Sequence, residues 1–227
     1  MRQMKEPPSA VQLALIERYQ HELAGVLADA ARPLGSLEQI IALGGVPLLQ
    51  TKKADGFPGL FLMAKNGRED VLRLLLGVGF DPSHRFDDER TAAMDAALAG
   101  QAGCLRILLE AGADANAIND RGSAVGTYAI AAEEPCECIR ELRSFGARFD
   151  MNVGRGMPPV FAAAAKGDLK SLALMLALSG ASPRAFSGMS LGEWANAHMQ
   201  HEARRIIERH EIEVSSEAAE PRRAMRI

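Results

Sequence analysis

Glycine recurs along this chain at a spacing that composition alone does not produce. Gly67 and Gly100 are 33 residues apart, as are Gly79 and Gly112, while Gly112 to Gly146 and Gly146 to Gly180 are 34 each. A second series runs through Gly56, Gly122, Gly156 and Gly188, with Glu89 standing where the register asks for a glycine. Two registers sustained over several units indicate tandem copies of one supersecondary unit, none of which buries its apolar face alone. Such copies touch only their neighbours and grow along one axis.

The stretches between the glycines repeat as well. Val71-Leu72-Arg73-Leu74-Leu75-Leu76 aligns with Cys104-Leu105-Arg106-Ile107-Leu108-Leu109 and with Ser171-Leu172-Ala173-Leu174-Met175-Leu176, and Cys138-Ile139-Arg140-Glu141-Leu142 follows more loosely. Leu72/Leu75, Leu105/Leu108 and Ile139/Leu142 are spaced i, i+3, which puts each pair on one helix face. Shorter alanine-rich segments precede them at 60–64, 93–97 and 160–164. Each unit therefore reads as a turn, a short helix, a loop, a second helix and a glycine stop. Aromatic residues make up only 5% of a chain that is 48% apolar, so small side chains must do most of the helix-to-helix packing.

The second unit carries the most specific letters. Thr91 opens its first helix, Gly100 separates the two helices, and the run LRILLEAGADAN ends on Gly112-Ala113-Asp114-Ala115-Asn116. In these features it resembles an ankyrin repeat, a unit of 33 residues made of a β-turn and two antiparallel helices. The resemblance covers about residues 53–210. It implies an all-α ankyrin-repeat solenoid of stacked helix-turn-helix units, with β-turn connections and helical caps. Repeats fall at about 53–85, 86–118, 119–152 and 153–186, with a degenerate capping repeat at 187–210. Three places depart from the pattern: Phe57-Pro58-Gly59-Leu60-Phe61 at the first helix start, Glu133-Glu134-Pro135 in place of the third inter-helix glycine, and Ser182-Pro183 at the fourth exit. Residues preceding proline are biased away from helix, so the third repeat's first helix should end by Glu133 and its loop should bulge.

The ends must shield the outermost repeats. Residues 1–52 read as a helical cap or degenerate first repeat. Ser9 is a suitable N-cap, Val11, Leu15, Tyr19, Leu23, Val26, Leu27 and Ala30 form one stripe, and Leu37, Ile40, Ile41 and Leu43 begin a second amphipathic helix. At the other end Trp194, Ala195, Ala203, Ile206 and Ile207 can cover the last repeat, with Arg204, Arg205, Glu208 and Arg209 facing water. Residues 211–227 are poor in apolar groups and are expected to form a flexible tail.

The chemistry-bearing residues form no catalytic signature. The chain has no nucleophile elbow, phosphate-cradling loop, dinucleotide fingerprint or metalloprotease motif, so no enzyme, catalytic residue, metal or cofactor is expected. Cys136-x-Cys138 has a spacing compatible with a metal, yet Cys138 shares its repeat position with Cys104 and Val71, which favours a small core residue. His198-x-x-His201 lacks the third and fourth ligands that zinc needs. Asp87-Asp88-Glu89 falls on an exposed turn. The charge sum, 26 basic against 29 acidic residues, gives −3 and argues against a nucleic-acid partner. Three cysteines cannot all pair, and neither a secretory leader nor a membrane span is legible, so a reducing, cytoplasmic setting is expected.

What the resemblance implies for function is protein binding through projecting turns and a concave surface of first helices. Mapping by repeat position assigns partner contacts to Phe57, Lys65 and Asn66 in the first repeat. The second contributes Arg85, Asp87, Asp88, Arg90 and Leu98, the third Ile118, Asp120, Arg121 and Ser123, and the fourth Asn152, Arg155, Met157 and Lys166. Changing Arg90 and Arg121 together to Glu is expected to abolish partner capture while leaving stability intact. The expected partner is another protein, with neither nucleic acid nor membrane involved and the chain monomeric by itself. The expected role is that of an inhibitor, immunity protein or chaperone-like protein. The alternatives are a secreted effector that mimics host interactions and, behind it, an enzyme with an unfamiliar site.

Overall fold

A computed structural model describes residues 9–28, 34–44, 59–86, 88–150, 156–179 and 185–224. Among these, α1 (Ala10–Ala28) and α2 (Gly35–Gly44) lead into five two-helix units. The units are α3 (Gly59–Lys65) with α4 (Glu69–Gly77), α5 (Ala92–Leu98) with α6 (Ala102–Glu110), and α7 (Val125–Ala131) with α8 (Pro135–Ser144). Then come α9 (Pro159–Lys166) with α10 (Leu169–Ser179), and α11 (Leu191–Ala197) with α12 (His201–Ala224). First helices stack as α3–α5–α7–α9–α11 and second helices as α4–α6–α8–α10–α12, which makes an all-α solenoid two helices deep.

Helices of seven or eight residues are too short to hold together in water, so packing makes them. In α5 every residue from Ala92 to Ala97 is buried, and the alanines let α3 and α7 approach from either side. The second helices bury the stripe that their spacing gives them: Leu72, Leu75, Leu105, Leu108, Ile139 and Leu142 are all fully enclosed. Both helices thus meet along one continuous apolar seam.

Turns close each unit in the same way. Gly67, Gly100 and Gly167 sit between paired helices at φ 71–74°, a left-handed conformation open to glycine at no steric cost. The next backbone N–H donates back into the helix just ended: Arg68 to Met63, Gln101 to Ala96 and Asp168 to Ala163. Met199 takes this place in the last unit at φ 58°, with Gln200 donating to Ala195. The third unit differs. α7 ends at Ala131, Ala132 is extended, and Pro135 starts α8 at a position where its missing N–H does no harm. No such return bond forms there; instead Lys166 of the next unit donates its Nζ to the carbonyls of Ile130 (2.6 Å) and Ala132 (3.3 Å).

Hairpin turns link the units, with bridges Arg85–Thr91, Ile118–Ala124 and Phe186–Met189. Adjacent tips touch so closely that a Cβ at Gly156 would run into the carbonyl of Gly122. The Asp-x-Asn exit does two jobs. Asp114 accepts the Asn116 N–H (2.8 Å), and the Asn116 amide bridges to the following unit through Gly146 O (3.1 Å) and the Arg148 N–H (2.9 Å).

At the amino end Ser9 and Gln12 cap α1 reciprocally, and Tyr19, Leu23 and Val26 are buried. A methyl on Gly59 would lie 2.5 Å from the Tyr19 hydroxyl, so α1 rests directly on the start of α3. The stripe is corrected at two points. Val11 is 71% exposed because it precedes the contact with α3, and Ile16 is buried in its stead. Leu43 is also exposed, while Leu37, Ile40 and Ile41 are enclosed. The side chains of Leu27 and Ala30, and the turn at Ser182-Pro183, lie outside the described residues. At the carboxyl end Ala203 and Ile207 are buried as expected, but helix α12 runs on to Ala224. The segment expected to be a tail from residue 211 is therefore helical; its Glu, Ala and Arg are good helix formers even with little to bury.

Candidate functional site

The open face of the first-helix stack is read most directly as rows of equivalent positions. One row follows the last turn of each helix: Lys65, Leu98, Ala131, Ala165 and Ala197, all exposed except half-buried Ala165. One turn earlier stand Leu62, Asp95, Tyr128, Ala162 and Trp194, half-buried except for Asp95, which is buried. The hairpin tips border these rows. Framework packing uses none of the first row, so its side chains are free to differ without unfolding the stack.

The sequence-assigned residues fall into three groups. Phe57, Asp87, Asn152 and Arg155 lie outside the described residues. Lys65, Leu98, Asp120 and Arg121 are exposed, and Asn66 is exposed with its amide donating to Leu62 O (2.8 Å). The rest are engaged internally. Arg85 donates to Ile118 O of the neighbouring hairpin (2.8 Å) and pairs with Glu89 (3.3 Å). The Ser123 N–H donates to Asn119 Oδ1 (2.8 Å), and Met157 O accepts from the Thr127 hydroxyl (3.3 Å). Lys166, assigned to a partner, caps α7.

Arg90 is the clearest correction. Its guanidinium is folded onto α5, 3.6 Å from Asp95 Oδ1 and 3.8 Å from Asp88 Oδ2, with the side chain only 19% exposed. It is not a free arm, because the buried carboxylate on the helix beneath attracts it inward. Reversing it to Glu would set three acids against one another.

Asp95 escaped the sequence reading as a buried charged group. It is 4% exposed, Oδ2 has no hydrogen-bond partner among the described residues, and burial lifts its pKa to about 6 against the attraction of Arg90 and Lys65. Asn119 donates to the Tyr128 hydroxyl (3.0 Å) and so ties hairpin 118–124 to α7. In the last unit Trp194 meets Phe161 (5.9 Å), Phe186 (5.4 Å) and the His198 ring (4.7 Å). Continuing the 33-residue register beyond Lys166 would have reached His198 and Met199. Nothing in the letters themselves marks an aspartate that the fold buries.

Hollows flank the irregular third loop. One of about 390 Å³ is lined by Leu98, Ala99, Gly100, Glu133 and Glu134, and another of about 430 Å³ by Glu133, Glu134, Pro135, Cys136, Lys166, Asp168 and Lys170. Burial pushes the thiols of Cys104 and Cys138 up to about 12 and about 11, the behaviour of packed, unreactive side chains. Among the described residues no three His, Cys, Asp or Glu side chains gather as a metal site, and His198 instead turns its Nδ1 to Trp194 O (2.9 Å). No helix among them is long and apolar enough to cross a membrane.

Comparison with known proteins agrees with this architecture. A family model of ankyrin repeats, three copies, matches residues 27–119. The crystal structure of the human ASB11 ankyrin repeat domain superposes with a TM-score of 0.54 at 20% identity, covering 66% of this chain and 67% of that one. No curated protein matches the chain.

Proposed function

We propose, from the premise that this chain is an ankyrin-repeat protein, that it binds one partner protein across the open face of its first helices and the adjoining hairpin tips. Ankyrin repeats are protein-interaction modules, and the fold is typically a non-enzymatic scaffold; the finer assignment is ours. The observation that carries it is the row Lys65, Leu98, Ala131 and Ala197, side chains exposed on a support whose other positions are committed to packing. Arg121 and Asp120 add charge at the rim, which sets register and approach more than affinity. Leu98, beside the hollow bounded by Glu133 and Glu134, offers an apolar anchor. Within this reading the role is to hold or block one protein, as an inhibitor, immunity protein or chaperone-like protein does. The segment α1–α2 serves as a degenerate first repeat that closes the stack.

Capture from the native source by immobilised protein tests the reading. The double variant Leu98→Asp, Arg121→Glu should lose partner affinity by at least about tenfold, or about 1.4 kcal/mol, because it removes an anchor and reverses a rim charge. Both residues are exposed, so the thermal midpoint should hold. Equal capture by both proteins would place the binding face elsewhere.

A further inference from the structure

The second unit holds a buried acid that its own packing does not need. Asp95 is the only charged residue of α5, and it lies in a row occupied elsewhere by Leu62, Tyr128, Ala162 and Trp194. Arg90 and Asp88 of the adjoining turn gather beside it. Asp88 Oδ1 accepts the Arg90 N–H (3.3 Å), Asp88 Oδ2 and Asp95 Oδ1 flank the guanidinium, and Asp88 O accepts the Asp120 N–H of the next hairpin (3.2 Å). The charge on Asp95 is therefore linked through Arg90 and Asp88 to the contact between two rim turns.

We propose that Asp95 is a proton-operated positioning residue for Arg90. Ionised, it holds the guanidinium down on the open face of α5; protonated, it lets that guanidinium turn to the rim, where its fork fits a carboxylate of an acidic partner segment. This goes beyond partner binding as such, since the device exists in the free chain.

The surroundings favour the switch. Desolvation opposes the charged form of a carboxylate buried with one unsatisfied oxygen. Against it stand Arg90 and, on α3, Lys65, while Asp88 adds repulsion; together they bring the pKa to about 6. The other elements packed on α5 contribute little charge. α7 carries no charged side chain and only the Tyr128 phenol, which accepts from Asn119. On α6 burial pushes the Cys104 thiol up to about 12, and Arg106 and Glu110 are exposed and paired with each other at 3.9 Å. On the hairpins Arg85 pairs with Glu89, and Asp120 and Arg121 are exposed. His84 stands on the same loop, its ring edge-on to Phe61 at 6.5 Å, and needs a control of its own.

The test is a nuclear magnetic resonance titration of the full chain from about pH 4 to about pH 8, reading the Asp95 carboxyl carbon, the Arg90 Nε–H and the Asp120 amide. All three should move together with a midpoint near 6. The Arg90 and Asp120 transitions should vanish in Asp95→Asn and persist in His84→Gln. An Asp95 carboxyl titrating near about 4 would overturn the proposal, and so would an Arg90 transition that survives in Asp95→Asn or disappears in His84→Gln. Should Asp95→Asn not fold, the wild-type and His84→Gln traces still decide, because separate midpoints for Asp95 and Arg90 end the linkage.

Discussion

At the scale of single residues, the side chains that break the repeat's habits are the ones with measurable consequences. Asp95 is such a residue. Its pKa is raised by burial, so between the ordinary aspartate value of about 3.9 and about 6 the folded chain holds a proton that the unfolded chain has released. Stability from this group is therefore present at low pH, falls as pH rises through that window, and is fully lost above it. Urea midpoints should show the wild type losing more stability than Asp95→Asn between about pH 4 and about pH 7; identical pH profiles would refute the burial argument. Met199 is a second case. It stands at φ 58° and is 75% exposed, so it bears left-handed strain without packing in return. Met199→Gly should raise stability by about 1 kcal/mol, measurable as a higher thermal midpoint, and a lower one would contradict it. Glu89 at φ 56° shows that the missing glycine in the second series marked a real backbone requirement.

Individual helices show how much of an element's ending is borrowed. Three units close their first helix with a left-handed glycine, the last does so with Met199, and α7 relies on Lys166 from the next unit. Lys166→Met keeps the stem and loses the donor, so it should cost about 1 kcal/mol and speed amide exchange at the α7–α8 loop before any other. Unchanged exchange there would mean that the cap contributes nothing. The sequence showed that this loop is irregular, because Glu133-Glu134-Pro135 stands where glycine was due. It did not show what closes it, since a contact between Lys166 and Ile130 spans 36 residues and leaves no local trace. For the same reason Arg90 and Lys166 looked like free surface when counted by repeat position. The capping box of Ser190 and Glu193 on α11 was legible and passed over.

For the whole molecule, stability is a sum over neighbours, and the middle of the stack has the most to lose. Leu108 is fully enclosed on α6, between α4 and α8. Leu108→Ala should cost about 2–5 kcal/mol, and amide exchange should rise in the units on both sides more than in α1 or α12. A uniform rise along the chain would argue for a single cooperative core instead. The family match beginning at residue 27 also extends the repeats toward the amino end of the reading that starts at 53. The signal for it was present: Gly45 lies 34 residues before Gly79, one more step of the same series.

The amino-acid sequence by itself determined the period, the helix pairs and their buried faces. Glycine spacing and i, i+3 leucines are local constraints, and a solenoid is assembled almost wholly from local ones. Tertiary structure alone decided which surface charges are free. Lys65 and Arg121 face solvent while Arg90 is drawn onto Asp95 and Lys166 onto two carbonyls, because each outcome depends on what the adjoining unit places within reach, and the repeat pattern carries no record of that.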